Sequence, residues 1–149
     1  MKAVLEHARA DSRVDKARLV LAGKSRGSIA TWQLLQSTPE ARAAVLLTPV
    51  CSSVSKESPT PKPEGNYRSS APEARPVFML SGDKDPFCSI PLLYRYAASY
   101  DGPLKISVIR GNHSLEVGSN KEAANAGPNS ANVDLAVTIA MDFIRPFVR

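Results

Sequence analysis

The sequence has no apolar run near the roughly 18–20 residues that a membrane-spanning helix needs. Its first residues also lack an apolar segment followed by small residues, which a secretory signal requires. Aromatic residues make up only 6% of the chain, which contains two cysteines and two histidines. Neither the cysteines nor the histidines have a spacing typical of a metal site. We therefore expect a cytoplasmic protein that does not bind membranes and needs no metal or cofactor.

The two cysteines, Cys51 and Cys88, are too few for the disulfide framework of a small secreted protein. Each follows a predicted strand, so the two thiols have the opportunity to meet at one edge of a sheet. A reducing compartment favours free thiols. The sequence leaves their pairing open, with free thiols as the expected state.

The charge of the chain is mildly positive, with 19 basic and 14 acidic residues and a net charge of +5. Because the basic residues are spread along the chain without interleaved aromatic residues, we expect no nucleic-acid binding. A chain of 149 residues with 43% apolar content is predicted to form one domain, 1–149. Residues 51–75 contain four prolines among polar side chains and predict a long loop.

Short apolar runs alternate with helical patterns along the chain. Continuous apolar runs bounded by turn residues are typical of strands buried in a parallel sheet, and apolar residues three and four apart predict helices. The predicted strands are 18–22, 43–48, 76–81 and 104–109, and the predicted helices are 2–10, 28–36, 89–100 and 133–144. The last helix is expected to end near Pro146 and to bury Val133, Ala136, Val137, Ala140, Met141 and Ile144. This order predicts an α/β fold with about four parallel strands and flanking helices.

The strongest chemical signal is the segment Gly23-Lys24-Ser25-Arg26-Gly27, between a predicted strand and a predicted helix. It fits the pattern G-x-S-x-G, in which a sharp turn lifts a serine hydroxyl clear of the sheet. Small residues on both sides of the serine are expected to relieve crowding in this strained turn. The backbone N–H of Arg26, at the start of the helix, would stabilise an oxyanion. The competing interpretation is an ordinary turn in which Ser25 only caps the helix.

Candidate acids follow the third predicted strand, in the segment Ser81-Gly82-Asp83-Lys84-Asp85-Pro86. Ligands of open α/β sheets bind at the carboxyl ends of the strands, where a carboxylate would fix the tautomer of a histidine. Asp85 lies further into the loop, whereas Asp83 is placed to cap the turn. Both aspartates are also common turn formers.

The candidate base is His113, which follows the fourth predicted strand in the segment Gly111-Asn112-His113-Ser114. A histidine in a small polar loop at a strand end is suited to general-base chemistry. The other histidine, His7, falls on the first predicted helix, where we expect a surface or packing role.

Serine, aspartate and histidine occur in this order after strand ends, which is the triad order of the α/β-hydrolases. From Leu19 to the last helix the chain resembles the C-terminal catalytic half of that family, and within it the dienelactone-hydrolase-like branch. The resemblance implies Ser25 as nucleophile, Asp85 as acid, His113 as base and the Arg26 N–H as one oxyanion donor. It also implies a serine esterase that cleaves small carboxylic esters through an acyl-enzyme.

The chain departs from the family before the serine motif. Members of the family have several strands there, whereas about 18 residues precede the first predicted strand of this chain. No His-Gly-Gly segment is present to give a second oxyanion N–H. We therefore expect a truncated or minimal α/β-hydrolase in which strand 19–22 lies at a sheet edge.

An exposed apolar edge favours pairing with another chain. We therefore expect a homo-oligomer, most simply a dimer, that buries the 19–22 side of the sheet and residues of the first helix. The alternative to an active esterase is a non-catalytic interaction subunit derived from the same family.

Overall fold

The computed structural model describes residues 2–53, 62–63, 65–68, 72–117 and 128–149. In chain order the elements are α1 (Lys2–Ala10), a 3₁₀ turn (Lys16–Arg18), β1 (Leu19–Lys24), α2 (Arg26–Ser37), β2 (Ala41–Leu47), β3 (Ser52–Ser53), β4 (Lys62–Pro63), β5 (Val77–Gly82), α3 (Ile90–Ala98), β6 (Leu104–Ile109) and α4 (Pro128–Val148). About half of the predicted loop 51–75 lies outside the described residues. Where it is described, β3 and β4 form a short antiparallel pair that the sequence did not predict.

The four long strands form one parallel sheet in the order β1-β2-β5-β6. The α/β fold with four parallel strands and flanking helices is therefore confirmed. Every residue of the central strand β5 is buried, which explains its continuous apolar sequence. Because all four strands run in the same direction, the loops that follow them meet at one edge of the sheet.

Two apolar clusters pack on opposite faces of this sheet. On one face, α2 and α3 contribute Trp32, Leu35 and Leu93, with exposed fractions of 2% or less. On the other face, Phe78 and Leu80 of β5 pack with residues of α4. Burial of side chains of this size contributes roughly 2 kcal/mol each, so both layers hold the sheet that positions the loops.

The buried face of α4 differs from the predicted one. Ala136 and Ala140 are buried, but Val133, Val137 and Met141 remain about half exposed, at 47%, 53% and 51%. Only part of the apolar face of the helix contacts the sheet. The helix turns its two small alanines toward the strands, with Ile139, Phe143 and Ile144 beside them. The helix also continues to Val148 and includes Pro146, although a proline inside a helix removes one hydrogen bond and crowds the carbonyl of the residue four positions before it.

The strand β1 lies at the edge of the sheet, as predicted. It pairs with β2, and no other strand among the described residues pairs with it. Its Leu19, Val20 and Ala22 line a groove together with Ile144 and Val148 of α4. The exposed valines and methionine share a face of α4 with Ile144 and Val148, since residues at intervals of three and four lie on one side of a helix.

Candidate active site

The turn between β1 and α2 places Ser25 at the carboxyl edge of the sheet. Its φ of 56° and ψ of −126° are disfavoured for a residue with a side chain and persist only when the surroundings hold them. The Ser25 N–H donates to the Leu47 carbonyl oxygen at 2.9 Å, which ties the turn to β2. The Ser25 side chain makes no capping hydrogen bond to α2. The predicted strand–serine–helix turn is therefore present, without the simple capping role.

Only one of the two glycines that flank Ser25 is required by space. A Cβ on Gly23 would lie 2.2 Å from the Gly27 carbonyl oxygen and 2.3 Å from Thr31 Oγ1, because α2 packs directly on β1 here. A Cβ on Gly27 would meet nothing within 4 Å outside the backbone of its own helix. The expectation that small residues are needed on both sides of Ser25 is therefore wrong for Gly27.

The structure distinguishes the two candidate acids. The Asp85 side chain is fully buried and its Oδ1 accepts the Phe87 N–H at 2.8 Å, while Oδ2 accepts the Ser81 hydroxyl at 3.2 Å. Asp83 instead accepts the Gly111 N–H at 2.7 Å. Asp83 therefore ties the loop after β5 to the loop after β6, whereas Asp85 directs its carboxylate into the site.

His113 connects this carboxylate to the serine. Its Nδ1 lies 2.9 Å from Asp85 Oδ2, and its Nε2 lies 2.8 Å from Ser25 Oγ. Because a carboxylate only accepts hydrogen bonds, Nδ1 carries the proton and Nε2 faces the serine hydroxyl as an acceptor. The Phe87 ring packs edge-on against the imidazole, with centroids 4.8 Å apart. The predicted approach of the three side chains is thus observed, and their catalytic roles remain predictions.

His7 lies apart from these groups, on the exposed surface of α1. This agrees with the surface role expected for it. Phe87, in contrast, was not singled out from the sequence, although it follows Asp85 by two residues. A single phenylalanine in a loop carries no signal that it will pack against a histidine.

A cleft of about 530 Å³ opens above Ser25. Its lining combines apolar and polar side chains and comes from α2, from the residues after β2 and from the loops that carry Phe87 and His113. The lining residues are Ser25, Arg26, Ile29, Ala30, Gln33, Val50, Ser52, Ser53, Phe87 and His113. A small molecule placed here would have its reacting carbon next to the serine hydroxyl and its substituents against apolar walls.

One backbone N–H beside Ser25 is suited to the predicted oxyanion role. Arg26 is the first residue of α2, where N–H groups have no carbonyl partner within the helix. Of the other cleft residues that the structure describes, Val50 donates its N–H to Tyr67 Oη and Ser52 to the Phe87 carbonyl oxygen. Neither of these two groups is free to act as the second donor.

Cys51 and Cys88 form a disulfide, which corrects the expectation of free thiols. The bond joins the segment after β2, which lines the cleft, to the loop that carries Asp85 and Phe87. The Phe87 carbonyl oxygen also accepts the N–H groups of Cys51 and Ser52. The sequence placed both cysteines after strand ends, but only the order of β2 and β5 as neighbours brings them together.

No group of three or more histidine, cysteine, aspartate or glutamate side chains suited to a metal ion occurs among the residues described. No helix in that part of the chain is long and apolar enough to cross a membrane.

No family model matches the chain, and a search of curated proteins finds no match. Solved structures do resemble it. An alpha-beta serine hydrolase homologue from Coxiella burnetii aligns with a TM-score of 0.64 and 16% identity, over 97% of this chain and 55% of its own. An esterase from Pyrococcus furiosus aligns with a TM-score of 0.64 and 13% identity, over 99% of this chain and 60% of its own.

An acylaminoacyl peptidase from Pyrococcus horikoshii aligns with a TM-score of 0.62 and 16% identity. The alignment covers 97% of this chain and 26% of the peptidase. The chain therefore spans about half of the first solved structure and a smaller part of the peptidase. At these identities the likeness concerns the fold.

Proposed function

We propose that this chain, which has the α/β-hydrolase fold, is a serine hydrolase that cleaves small carboxylic esters through an acyl-enzyme on Ser25. The observation that carries the proposal is the continuous hydrogen-bonded arrangement of Ser25, His113 and Asp85 at the floor of the cleft. A serine hydroxyl is a weak nucleophile until a base accepts its proton, and a neutral imidazole nitrogen lies at hydrogen-bond distance from it.

In the first step, His113 Nε2 takes the Ser25 proton as Oγ attacks the ester carbonyl carbon. The carbonyl π bond opens, and the negative charge on its oxygen is stabilised by the Arg26 N–H. Asp85 stabilises the imidazolium that forms. The carbonyl then re-forms, and the alcohol leaves with the proton from His113.

In the second step, a water gives a proton to His113 and attacks the acyl carbon. The acid leaves as Ser25 recovers its proton from His113. Both steps use the same three side chains, so no cofactor is needed for the proton transfers.

The substrate class follows from the cleft. Ile29, Val50 and Phe87 offer apolar walls to a short acyl or alcohol group. One assigned oxyanion donor in place of two lowers turnover on the order of 10²–10³. We therefore expect slow hydrolysis of activated short-chain esters, such as p-nitrophenyl acetate and butyrate.

A fluorophosphonate probe tests the proposal directly, because it reacts only with an activated serine. Intact mass of the wild-type chain is expected to show one phosphonyl adduct, and Ser25→Ala is expected to show none. Ser114→Ala is the matched control, since Ser114 is an exposed serine next to His113. Equal labelling of the wild type and Ser25→Ala, or none of either, would favour the non-catalytic interaction subunit.

The edge strand β1 supports a further proposal, that the chain forms a homodimer. Its outer row of N–H and C=O groups has no partner strand among the described residues, and an apolar groove with Ile144 and Val148 lies beside it. Antiparallel pairing of two β1 edges around a twofold axis would satisfy both backbones.

Light scattering at micromolar concentration is expected to give twice the 16.0 kDa mass of the chain. A Val20→Lys variant places a charge in the groove and is expected to dissociate the dimer, while Tyr94→Lys, on the exposed surface of α3, leaves it intact. A wild-type chain that remains monomeric would show the dimer proposal to be wrong.

Localisation in the cytoplasm stays a prediction. The disulfide argues against this localisation, because such bonds persist mainly in oxidising compartments.

A further inference from the structure

The Tyr67 hydroxyl belongs to a buried chain of hydrogen bonds beside the Ser25 turn. Tyr67 and Ser28 are 5% and 0% exposed, and their hydroxyl oxygens are 2.7 Å apart. The Val50 N–H donates to Tyr67 Oη at 2.7 Å, and the Ser28 hydroxyl donates to the Ser25 carbonyl oxygen. Because Ser28 uses its only proton on that carbonyl, Tyr67 must donate to Ser28. This series of hydrogen bonds therefore runs from Val50 through Tyr67 and Ser28 to the backbone of Ser25.

The end of this chain is the peptide group that contains the oxyanion donor. The Ser25 carbonyl and the Arg26 N–H belong to one planar peptide unit, so fixing the carbonyl also fixes the direction of the N–H. The positive φ of Ser25 is disfavoured and must be held by its surroundings. Two groups of Ser28 hold it, since both its hydroxyl and its N–H donate to the Ser25 carbonyl oxygen.

We propose that Tyr67, acting through Ser28, is a positioning residue that aims the Arg26 N–H at the oxyanion. The inference rests on the proposed function, because it assigns a role in the same reaction. Tyr67 touches no reacting atom and transfers no proton. Its other hydrogen bond holds Val50, which borders the cleft, so one hydroxyl orients both the oxyanion donor and the opposite wall.

The surroundings of Tyr67 suit this role. Its ring packs edge-on against Trp32 and Tyr96, with centroids 6.4 and 5.5 Å away. Burial is the main cause that raises the pKa of Tyr67 to about 12, so the hydroxyl keeps its proton at neutral pH and remains a donor. The neighbouring Arg68 carbonyl oxygen accepts the Trp32 indole N–H at 3.1 Å, which fixes the segment on α2.

A second tyrosine provides a matched control. The Tyr100 ring also packs edge-on against Trp32, with centroids 5.7 Å apart. Its hydroxyl donates to the Arg75 carbonyl oxygen, which is not part of the Ser25 turn. Tyr67→Phe and Tyr100→Phe thus each remove one hydrogen-bonded hydroxyl from a ring on the same indole.

The test combines kinetics with an amide spectrum of the whole chain. Tyr67→Phe is expected to lower kcat for p-nitrophenyl acetate about tenfold with KM nearly unchanged, since the lost orientation matters most in the transition state. It is also expected to shift the Arg26 amide resonance in a ¹H–¹⁵N spectrum. Tyr100→Phe is expected to do neither.

Ser28→Ala removes the next hydroxyl in this series of hydrogen bonds. It serves as the second variant if Tyr67→Phe does not fold. The double variant, with Tyr67→Phe and Ser28→Ala, is expected to lose no more kcat than the more impaired single variant. Both substitutions interrupt the same series of hydrogen bonds. An unmoved Arg26 amide in the folded variants, or a kcat equal to that of Tyr100→Phe, overturns the inference. A wild-type protein that does not react with the fluorophosphonate probe refutes the proposed function. The Arg26 amide resonance still decides whether Tyr67 orients the Ser25–Arg26 peptide group.

Discussion

Asp85→Asn is expected to lower kcat for p-nitrophenyl ester hydrolysis by about 10³–10⁴ while the chain keeps its fold. The Phe87 N–H bonds to Oδ1 of Asp85 at 2.8 Å, so the carbonyl of an asparagine would take that position. Its NH₂ group would then point at His113 Nδ1, in place of Oδ2. Nδ1 would then have to accept a hydrogen bond from this NH₂ group, and the imidazole would carry its proton on Nε2. A protonated Nε2 is unable to take the Ser25 proton.

Asp83→Asn is the matched control for this prediction. An asparagine oxygen at position 83 still accepts the Gly111 N–H that Asp83 binds at 2.7 Å, so the loops stay tied and kcat is expected to change less than threefold. The measurement is steady-state kinetics on both variants, with circular dichroism to verify folding. Similar losses in the two variants would mean that the structure has assigned the acid to the wrong aspartate.

Gly23→Ala is expected to destabilise the fold by about 3 kcal/mol, at the upper end of the usual cost of overpacking. The added methyl would overlap the Gly27 carbonyl oxygen and Thr31 Oγ1. Neither contact is relieved by a rotamer change alone, because the first is backbone and Thr31 is fully buried. The helix must move away from β1, and such a movement would also displace Ser25 and lower activity.

Gly27→Ala is expected to act in the opposite direction. Its position is helical and has open space for a methyl outside its own helix, so alanine should stabilise α2 by about 0.5–1 kcal/mol. Urea denaturation of both variants measures the difference in the free energy of unfolding. A loss at Gly27 as large as that at Gly23 would contradict the steric explanation.

The candidate residues of the site were largely readable from the sequence. Ser25 lies in a short motif between a strand and a helix, and both patterns are local. His113 was identified because few histidines exist and only one of them follows a strand. Asp85 and Asp83 were not separable by such reasoning, since both occupy the same loop and both residue types form turns. The resemblance favoured Asp85, and the buried carboxylate next to His113 agrees with that choice.

Other features depend on contacts between distant segments. Tyr67 and Ser28 are 39 residues apart, and nothing local marks either as part of the Ser25 turn. The disulfide was left open because the sequence does not show that the loops after β2 and β5 are neighbours. The buried face of α4 was predicted too wide, since periodicity gives the apolar arc of a helix but not the part of it that meets the sheet.

The sequence by itself therefore determined the α/β class, the parallel strands, and Ser25 and His113 as candidate site residues. These follow from hydrophobic periodicity and from short motifs, which act over a few residues. The tertiary structure alone decided which aspartate faces His113, which glycine is sterically required, that Cys51 meets Cys88 and that Tyr67 reaches the Ser25 turn. Each of these depends on the packing of strands and helices that are distant in the chain, and no local pattern records that packing.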